Sequence, residues 1–247
     1  MVNQLRSLLS FLTILPVGKD YDIYYIAKNM HLFPIAGAVI GLMIGAFAFG
    51  LSTILLQPLF VGLIATAALF ILTGGHHTDA LSDFADGLMA KGGKDSKRKA
   101  MSDPRTGSAG TAALVLYFAG SVIAISILAG VGGFKLFMAM IASEVIAKYV
   151  MVLQANRGFA AWEGLGSPFT ESMKNTSRMV TASAITVPIA YFAGGLPALA
   201  ALAAAIAIAF VLVRISNKNF GGVSGDVFGA SNEITRLSSL IILASIL

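Results

Sequence analysis

The chain has no cysteine, one tryptophan and little charge: Asp, Glu, Lys and Arg make up 12% of its 247 residues. Without thiols it forms no disulfide, no thiolate metal centre and no thiol nucleophile. A soluble domain carries about 25% charged residues, so an ordinary cytosolic enzyme is excluded. A hydrophobic fraction of 57% excludes a disordered chain as well. What the sequence has in quantity is apolar residues in long runs, at a mean hydropathy of +0.83. These runs read as an all-α, polytopic integral membrane protein in a lipid bilayer. A formal net charge of +5 would suggest nucleic acid in a soluble protein. Here the positions of the basic residues mark membrane orientation instead, and no nucleic-acid partner is expected.

A bilayer core takes about 20 apolar residues per helix. Phe33 to Leu56 is the first such run, and Pro58 to Thr73 returns after almost no loop. Ala109 to Gly130 and Phe134 to Leu153 form a second hairpin around Gly132 and Gly133. Met179 to Gly195 and Leu196 to Val213 form a third, turning at Gly194, Gly195 and Pro197. Ile234 to Leu247 is apolar but short, and crosses only if its helix begins earlier. The expected architecture is a helical bundle of about six to seven transmembrane helices, one integral membrane domain over residues 1–247. Leu5, Leu8, Leu9 and Leu12 recur at helical spacing opposite Arg6, Ser7, Ser10 and Thr13, which predicts an interfacial helix in segment 1–32. Gly37, Gly41 and Gly45 form a ridge suited to close helix packing.

Apart from Lys135 and Lys148, every Lys and Arg lies in segment 1–32, in 74–108, in 154–178 or from Arg214 onward. If the chain alternates sides, these regions share one face, which the positive-inside rule makes cytoplasmic. The protein is therefore expected in the cell (inner) membrane, with 154–178 and a Gly/Asp-containing 214–233 as cytoplasmic loops. Eleven of the twelve acids follow the same map, five of them between Gly74 and Ser108. Topology does not demand carboxylates there, so their concentration requires another cause.

Within that segment Asp79, Asp83 and Asp86 are spaced i, i+4, i+7 and share one face of a helix. Three like charges on one stripe repel unless a cation neutralises them or the face is fully solvated. Oxygen-only ligands of this kind suit Mg²⁺, Mn²⁺ or Ca²⁺, and Mg²⁺ on carboxylates keeps positions open for substrate phosphates. The plainer alternative is a solvated loop helix. Gly87, after the last Asp, would let a ligand approach the backbone.

Downstream stand Lys91, Lys94, Lys97, Arg98 and Lys99, then Asp103, Pro104, Arg105, Thr106 and Gly107. The lysine run reads best as an anchor on anionic lipid; Arg105, beside Asp103 and glycines, reads as a phosphate ligand. His76 and His77 lack the spacing of a zinc site and suit a base or a substrate hydrogen bond. Glu144, with Lys148 one turn later, is the one acid inside a span, and reads equally as a functional group or an ion pair. Near the C-terminus Gly221, Gly222 and Gly225 precede Asp226, a flexible backbone at the membrane edge that suits a phosphate or metal. Ser231 is a candidate cap for the last helix.

At these residues the chain resembles the cobalamin (5′-phosphate) synthase family, the adenosylcobinamide-GDP ribazoletransferases. Four blocks carry the resemblance across nearly the whole chain. They are Phe11-Leu12-Thr13-Ile14-Leu15-Pro16 with Phe33-Pro34 and Gly37; Thr73-Gly74-Gly75 with His77, Asp79, Leu81, Asp83 and Asp86-Gly87; Met101, Asp103, Arg105, Gly107 and Gly110; and Gly221-Gly222, Gly225-Asp226 and Gly229-Ala230. Ala80 departs from the pattern, where the family usually has Gly, and would narrow the space beside Asp79. The resemblance implies a late step of cobalamin biosynthesis: adenosylcobinamide-GDP and α-ribazole, or its 5′-phosphate, are joined and GMP is released.

In that setting the expected metal set is Asp79, Asp83 and Asp86, with Asp103 joining, around Mg²⁺ or Mn²⁺. Arg105, Gly107, Gly225 and Asp226 are expected at the substrate, and His77 or Asp103 as general base. Two other readings are a CDP-alcohol-type phosphotransferase, from the similar stretch Asp83 to Lys91, and a membrane transporter with a surface cation site. A transporter places charges at the bilayer midplane, whereas here only Glu144 and Lys148 lie at depth.

Overall fold

The computed structural model describes residues 2–18, 22–54 and 57–247. The expected end of the first span, Leu56, lies outside them. Eleven α-helices follow in order: α1 (Val2–Leu12), α2 (Ile23–Lys28), α3 (Phe33–Ile54), α4 (Pro58–Leu72), α5 (His76–Met89), α6 (Lys94–Met101), α7 (Ser108–Val131), α8 (Gly133–Arg157), α9 (Ser167–Met173), α10 (Thr176–Phe220) and α11 (Gly225–Ile246). Among the described residues four helical stretches are long and apolar enough to cross a membrane: Met30–Ile54, Ser108–Val131, Gly133–Arg157 and Thr176–Phe220. The pair α4 and α5, bent by 92°, would make a fifth.

This count is lower than six to seven for three physical reasons. The 45 residues of α10 join two expected spans across one break, at Gly195 (φ 59°). Both ends of α10 lie at the C-terminal end of α8, since Thr176 shares a cavity wall with Arg157 and Val223 accepts the amide of Ala161. The helix therefore folds back on itself at Gly195, in a conformation that L side chains rarely adopt. The second reason is α4, which has 15 residues. The third is α11, which carries Asp226, Glu233 and Arg236.

The centre of the bundle is α8, buried almost continuously from Ala139 to Ala155. Its closest neighbour is α3, antiparallel to it. A methyl at Gly37, Gly41 or Gly45 would stand 2.6–2.8 Å from the backbone of Glu144, Ile141 or Phe137. The glycine ridge thus brings two backbones together, as small residues do in lipid-embedded helices. On the other flank α11 runs antiparallel to α8, with Gln154 on Ser231, Lys148 on Asn232 and Glu144 on Arg236. Pairing at these three levels fixes the register.

Gly74 and Gly75, both at positive φ (67° and 72°), turn the chain from α4 into α5. α5 consequently lies across the charged end of the bundle rather than along it. The apolar face of α1, with Leu8, Leu9 and Leu12 buried, packs over the same end. Segment 214–233 is mostly helical: α10 continues to Phe220 and α11 begins at Gly225, leaving a loop of Gly221 to Ser224. The cap of α11 is accordingly Ser224, whose Oγ accepts the amide of Val227. Ser231 sits inside the helix instead, buried between Gln154 and the carbonyl of Val227.

Candidate active site

The residues singled out in the sequence converge on this charged end, but they separate into three groups. Asp79 and Asp83 face outward from α5 with no hydrogen-bond or ion-pair partner among the described residues, and Asp226 at the start of α11 adds its charge to theirs. Half-burial, then the charges of Asp79, Asp226 and Asp86, push the Asp83 carboxyl up to about 6. Asp226 holds one weak contact, accepting the hydroxyl of Ser224 at 3.3 Å.

Asp86 does a different job. One of its carboxylate oxygens accepts the amide of Gly107 at 2.7 Å and the other that of Gly110 at 2.8 Å. Gly107 is the N-cap of α7 and has no side chain to cap with. Asp86 therefore satisfies the free amides at that helix start and complements its dipole. A methyl at either glycine would come within 2.5 Å of the carboxylate, which explains both glycines. The amide of Gly107 is thereby engaged within the protein. Gly87, one residue on, faces Met101, Lys97 and Phe220, so it serves packing between α5, α6 and α10.

Asp103 joins neither group. Arg105 donates to it through Nε (3.1 Å) and Nη2 (3.0 Å), and this bidentate pair holds its carboxyl down at about 2. The pair stands in the turn before α7, with the Arg105 side chain 87% exposed. In the basic run, Arg98 stacks over Trp162 at 4.4 Å and Lys97 donates to the carbonyl of Leu88.

His77 connects the site to the bundle interior. Lys148 Nζ donates to Oδ1 of Asn232 at 2.7 Å, so Nδ2 of Asn232 must face the other way, where it donates to Glu233 at 2.9 Å. Its second hydrogen points at Nδ1 of His77, 3.3 Å away. Burial, with the charges of Lys148 and Arg236, holds the His77 imidazole well below its usual pKa. The neutral ring accepts at Nδ1, so its proton sits on Nε2, the nitrogen without a protein partner. Behind it, Arg236 binds Glu144, Glu233 and the hydroxyl of Tyr117. Two acids and two bases thus neutralise one another in the interior. Glu144 and Lys148 were visible in the sequence. Arg236 was not singled out there, although Glu233 and Arg236, spaced i, i+3 in an apolar helix, carry the signal.

Ala80 meets Gly229 of α11. A Cβ on that glycine would fall 2.5 Å from the methyl of Ala80, so the methyl occupies space that Gly229 leaves open. Beside His77 and Asp226 opens a cavity of about 370 Å³. Gly225 is among the residues that line it. Among the described residues no three His, Asp or Glu side chains stand close enough to enclose a metal ion. The donor chemistry nevertheless fits a hard dication: Mg²⁺ needs only one or two carboxylates and fills the remaining positions with water and phosphate. Asp79 and Asp83 are two such carboxylates without partners among the described residues.

Fold and site together define a polytopic helical membrane protein with a carboxylate-rich site at its charged end. The chain matches the family described as cobalamin-5-phosphate synthase over residues 4–244, and it belongs to that family. It is 34% identical to an adenosylcobinamide-GDP ribazoletransferase of Methanocella arvoryzae, covering 100% of this chain and 97% of the relative. The protein of the same name from Archaeoglobus fulgidus is 36% identical, covering 97% and 96%. That of Halorubrum lacusprofundi is 33% identical, covering 97% and 96%. No solved structure matches the chain.

Proposed function

We propose that this protein is an adenosylcobinamide-GDP ribazoletransferase of the cell membrane, joining adenosylcobinamide-GDP to α-ribazole or its 5′-phosphate and releasing GMP. The observation that carries the reading is the meeting of Asp79, Asp83 and Asp226, carboxylates without a cationic partner, beside a cavity of ligand size. The family supplies the substrates. The positive-inside rule places this end in the cytoplasm, since it holds most of the basic residues.

Asp79 and Asp83 would hold Mg²⁺, for which Mn²⁺ can substitute. When bound, the ion supplies neutralising charge at the diphosphate. Asp226, on the cavity wall, accepts the proton of the acceptor's ribose 3′-hydroxyl. The hydroxyl oxygen attacks the cobinamide-side phosphorus, a P–O bond forms, and the P–O bond to GMP breaks. His77 presents its Nε2–H as a hydrogen-bond donor to an oxygen of the reacting groups, a role distinct from that of a base. Arg105, exposed on its turn, exchanges Asp103 for phosphate oxygens of the donor. Asp86 keeps α5 and α7 in place around this set.

The interior charges do not favour a transporter, because Glu144, Glu233, Lys148 and Arg236 are taken up in pairs. The test is GMP release from adenosylcobinamide-GDP by the purified protein in liposomes, with and without α-ribazole 5′-phosphate, and with Mg²⁺ or a chelator. Release that requires both acceptor and Mg²⁺, with a cobalamin product by mass, is expected. Turnover of a CDP-diacylglycerol donor in place of the cobinamide substrate would overturn the proposal.

A further inference from the structure

The cavity beside Asp226 is lined by aromatic rings and by a few polar side chains. Phe11 of α1, Phe33 of α3, Phe169 of α9 and Phe228 of α11 supply its aromatic walls, and Ser10, His76, His77 and Asp226 its polar ones. Three of these rings, Phe11, Phe33 and Phe169, are mutual neighbours with centroids 5.7–6.3 Å apart, and Phe228 lies 6.3 Å from Phe169. With Met30, Met151 and Leu165 they make up most of its apolar lining. At about 370 Å³ the space is of small-ligand size, with few polar groups placed where a ligand would be oriented.

This distribution restricts the occupant. A charged group set among these rings would lose its hydration and find no partner. A guanine there would leave its many donors and acceptors unmet, and a corrin ring is too large. A flat, uncharged aromatic ring gains dispersion and offset stacking from those walls. Its polar substituent then lies toward Asp226 and His77, the polar groups of the same wall.

We propose that this cavity binds the acceptor nucleoside base-first. An uncharged bicyclic aromatic base lies among Phe11, Phe33, Phe169 and Phe228, with its ribose hydroxyls at Asp226 and His77. The nucleoside part of the assignment rests on the transferase reading; the aromatic-base part rests on the cavity. It also gives α1 a role, because Ser10 and Phe11 of this helix cover the cavity. Phe11 is 37% exposed, so its truncation is tolerable to the fold.

The experiment is equilibrium binding of a radiolabelled benzimidazole riboside to the full chain in lipid nanodiscs, without donor and without Mg²⁺. Saturable binding is expected, displaced by excess unlabelled riboside. Phe11→Ala should weaken it about ten-fold, the size of a lost aromatic stack, and Phe11→Tyr, which keeps the ring, should not. Ser10→Trp, filling the cavity from its half-buried rim, should abolish it. In turnover, Phe11→Ala should raise KM for the acceptor by the same factor and leave KM for adenosylcobinamide-GDP unchanged. Binding indifferent to both variants, or label that follows the lipid and is not displaced, would overturn the proposal. GMP release with such indifferent binding would remove the cavity assignment and leave the transferase. Variant-sensitive binding by a chain that releases no GMP would do the reverse.

Discussion

The carboxylate of Asp86 accepts the backbone amide of Gly107 at 2.7 Å and so caps a helix that begins 22 residues further along the chain. Asp83, one turn earlier on α5, has no such partner and is pushed up to about 6. The two carboxylates therefore respond differently to the same substitution. Asp86→Asn loses a charge-assisted pair of hydrogen bonds and sets an amide N–H against an amide donor, a cost of about 1–3 kcal/mol. Asp83→Asn relieves repulsion; it should abolish turnover and leave thermal stability unchanged or raised. Thermal melting in detergent with GMP release for both variants checks the contrast. Equal stability losses would contradict it.

Half-burial of Asp83, with the charge crowding around it, sets a pH dependence. The Asp83 pKa in the folded protein, about 6, lies above the ordinary carboxylate value of 3.8. Its contribution to stability is fully present below pH 3.8 and is lost as pH rises through about 6, when the ionised group repels Asp79 and Asp226. On the proposed reading Mg²⁺ would take the place of the proton, so stabilisation by Mg²⁺ should grow across this window and vanish on chelation. Melting temperatures across the window, with Mg²⁺ and with chelator, test this. Asp83→Asn should flatten the response.

The link from Lys148 through Asn232 to His77 predicts a tautomer. Nitrogen-15 NMR of labelled histidine should show His77 unprotonated at Nδ1 and protonated at Nε2. Asn232→Asp replaces the donor with an acceptor and should move the proton to Nδ1. Turnover should fall about 10- to 100-fold, the usual cost of losing a group that orients a site residue. An unchanged tautomer in the variant would show that Asn232 does not set the ring.

Two glycines of α3 should behave oppositely. Gly41→Ala places a methyl 2.6 Å from the Cα of Ile141 and must push α3 from α8. Overpacking of this kind costs about 1–3 kcal/mol. Gly50→Ala meets nothing within 4 Å and should be neutral or stabilising by up to about 1 kcal/mol, through helix propensity. Melting temperatures of the two variants measure the difference directly.

Much of this architecture is written in the order of the residues. Hydropathy marks α3, α7, α8 and both arms of α10, because an apolar run near the length of the bilayer has few other places to go. The glycine spacing of α3 announces a close crossing, since only small residues permit it. The i, i+4, i+7 spacing places Asp79, Asp83 and Asp86 on one helix face, because helical geometry is local. The start of α11 is less legible. Its cap falls at Ser224 rather than Ser231 because the helix already begins at Gly225, and Ser231 faces Gln154 of α8 rather than water.

What that spacing does not settle is what each side chain meets. Asp86 becomes a cap because α7 begins with glycines whose amides need an acceptor, and the fold brings them to α5. Asp226 joins Asp79 and Asp83 only because α11 packs antiparallel to α8 and starts beside α5. Glu144 and Lys148 become half of a neutral set through Arg236 and Glu233, which approach them from another helix. The chain by itself determined the helices, their faces and which end carries charge, all of which follow from short-range geometry and transfer from water. Tertiary packing decided which carboxylates stay unpaired, since in a low-dielectric interior the energy of a charge is set by its neighbours in space.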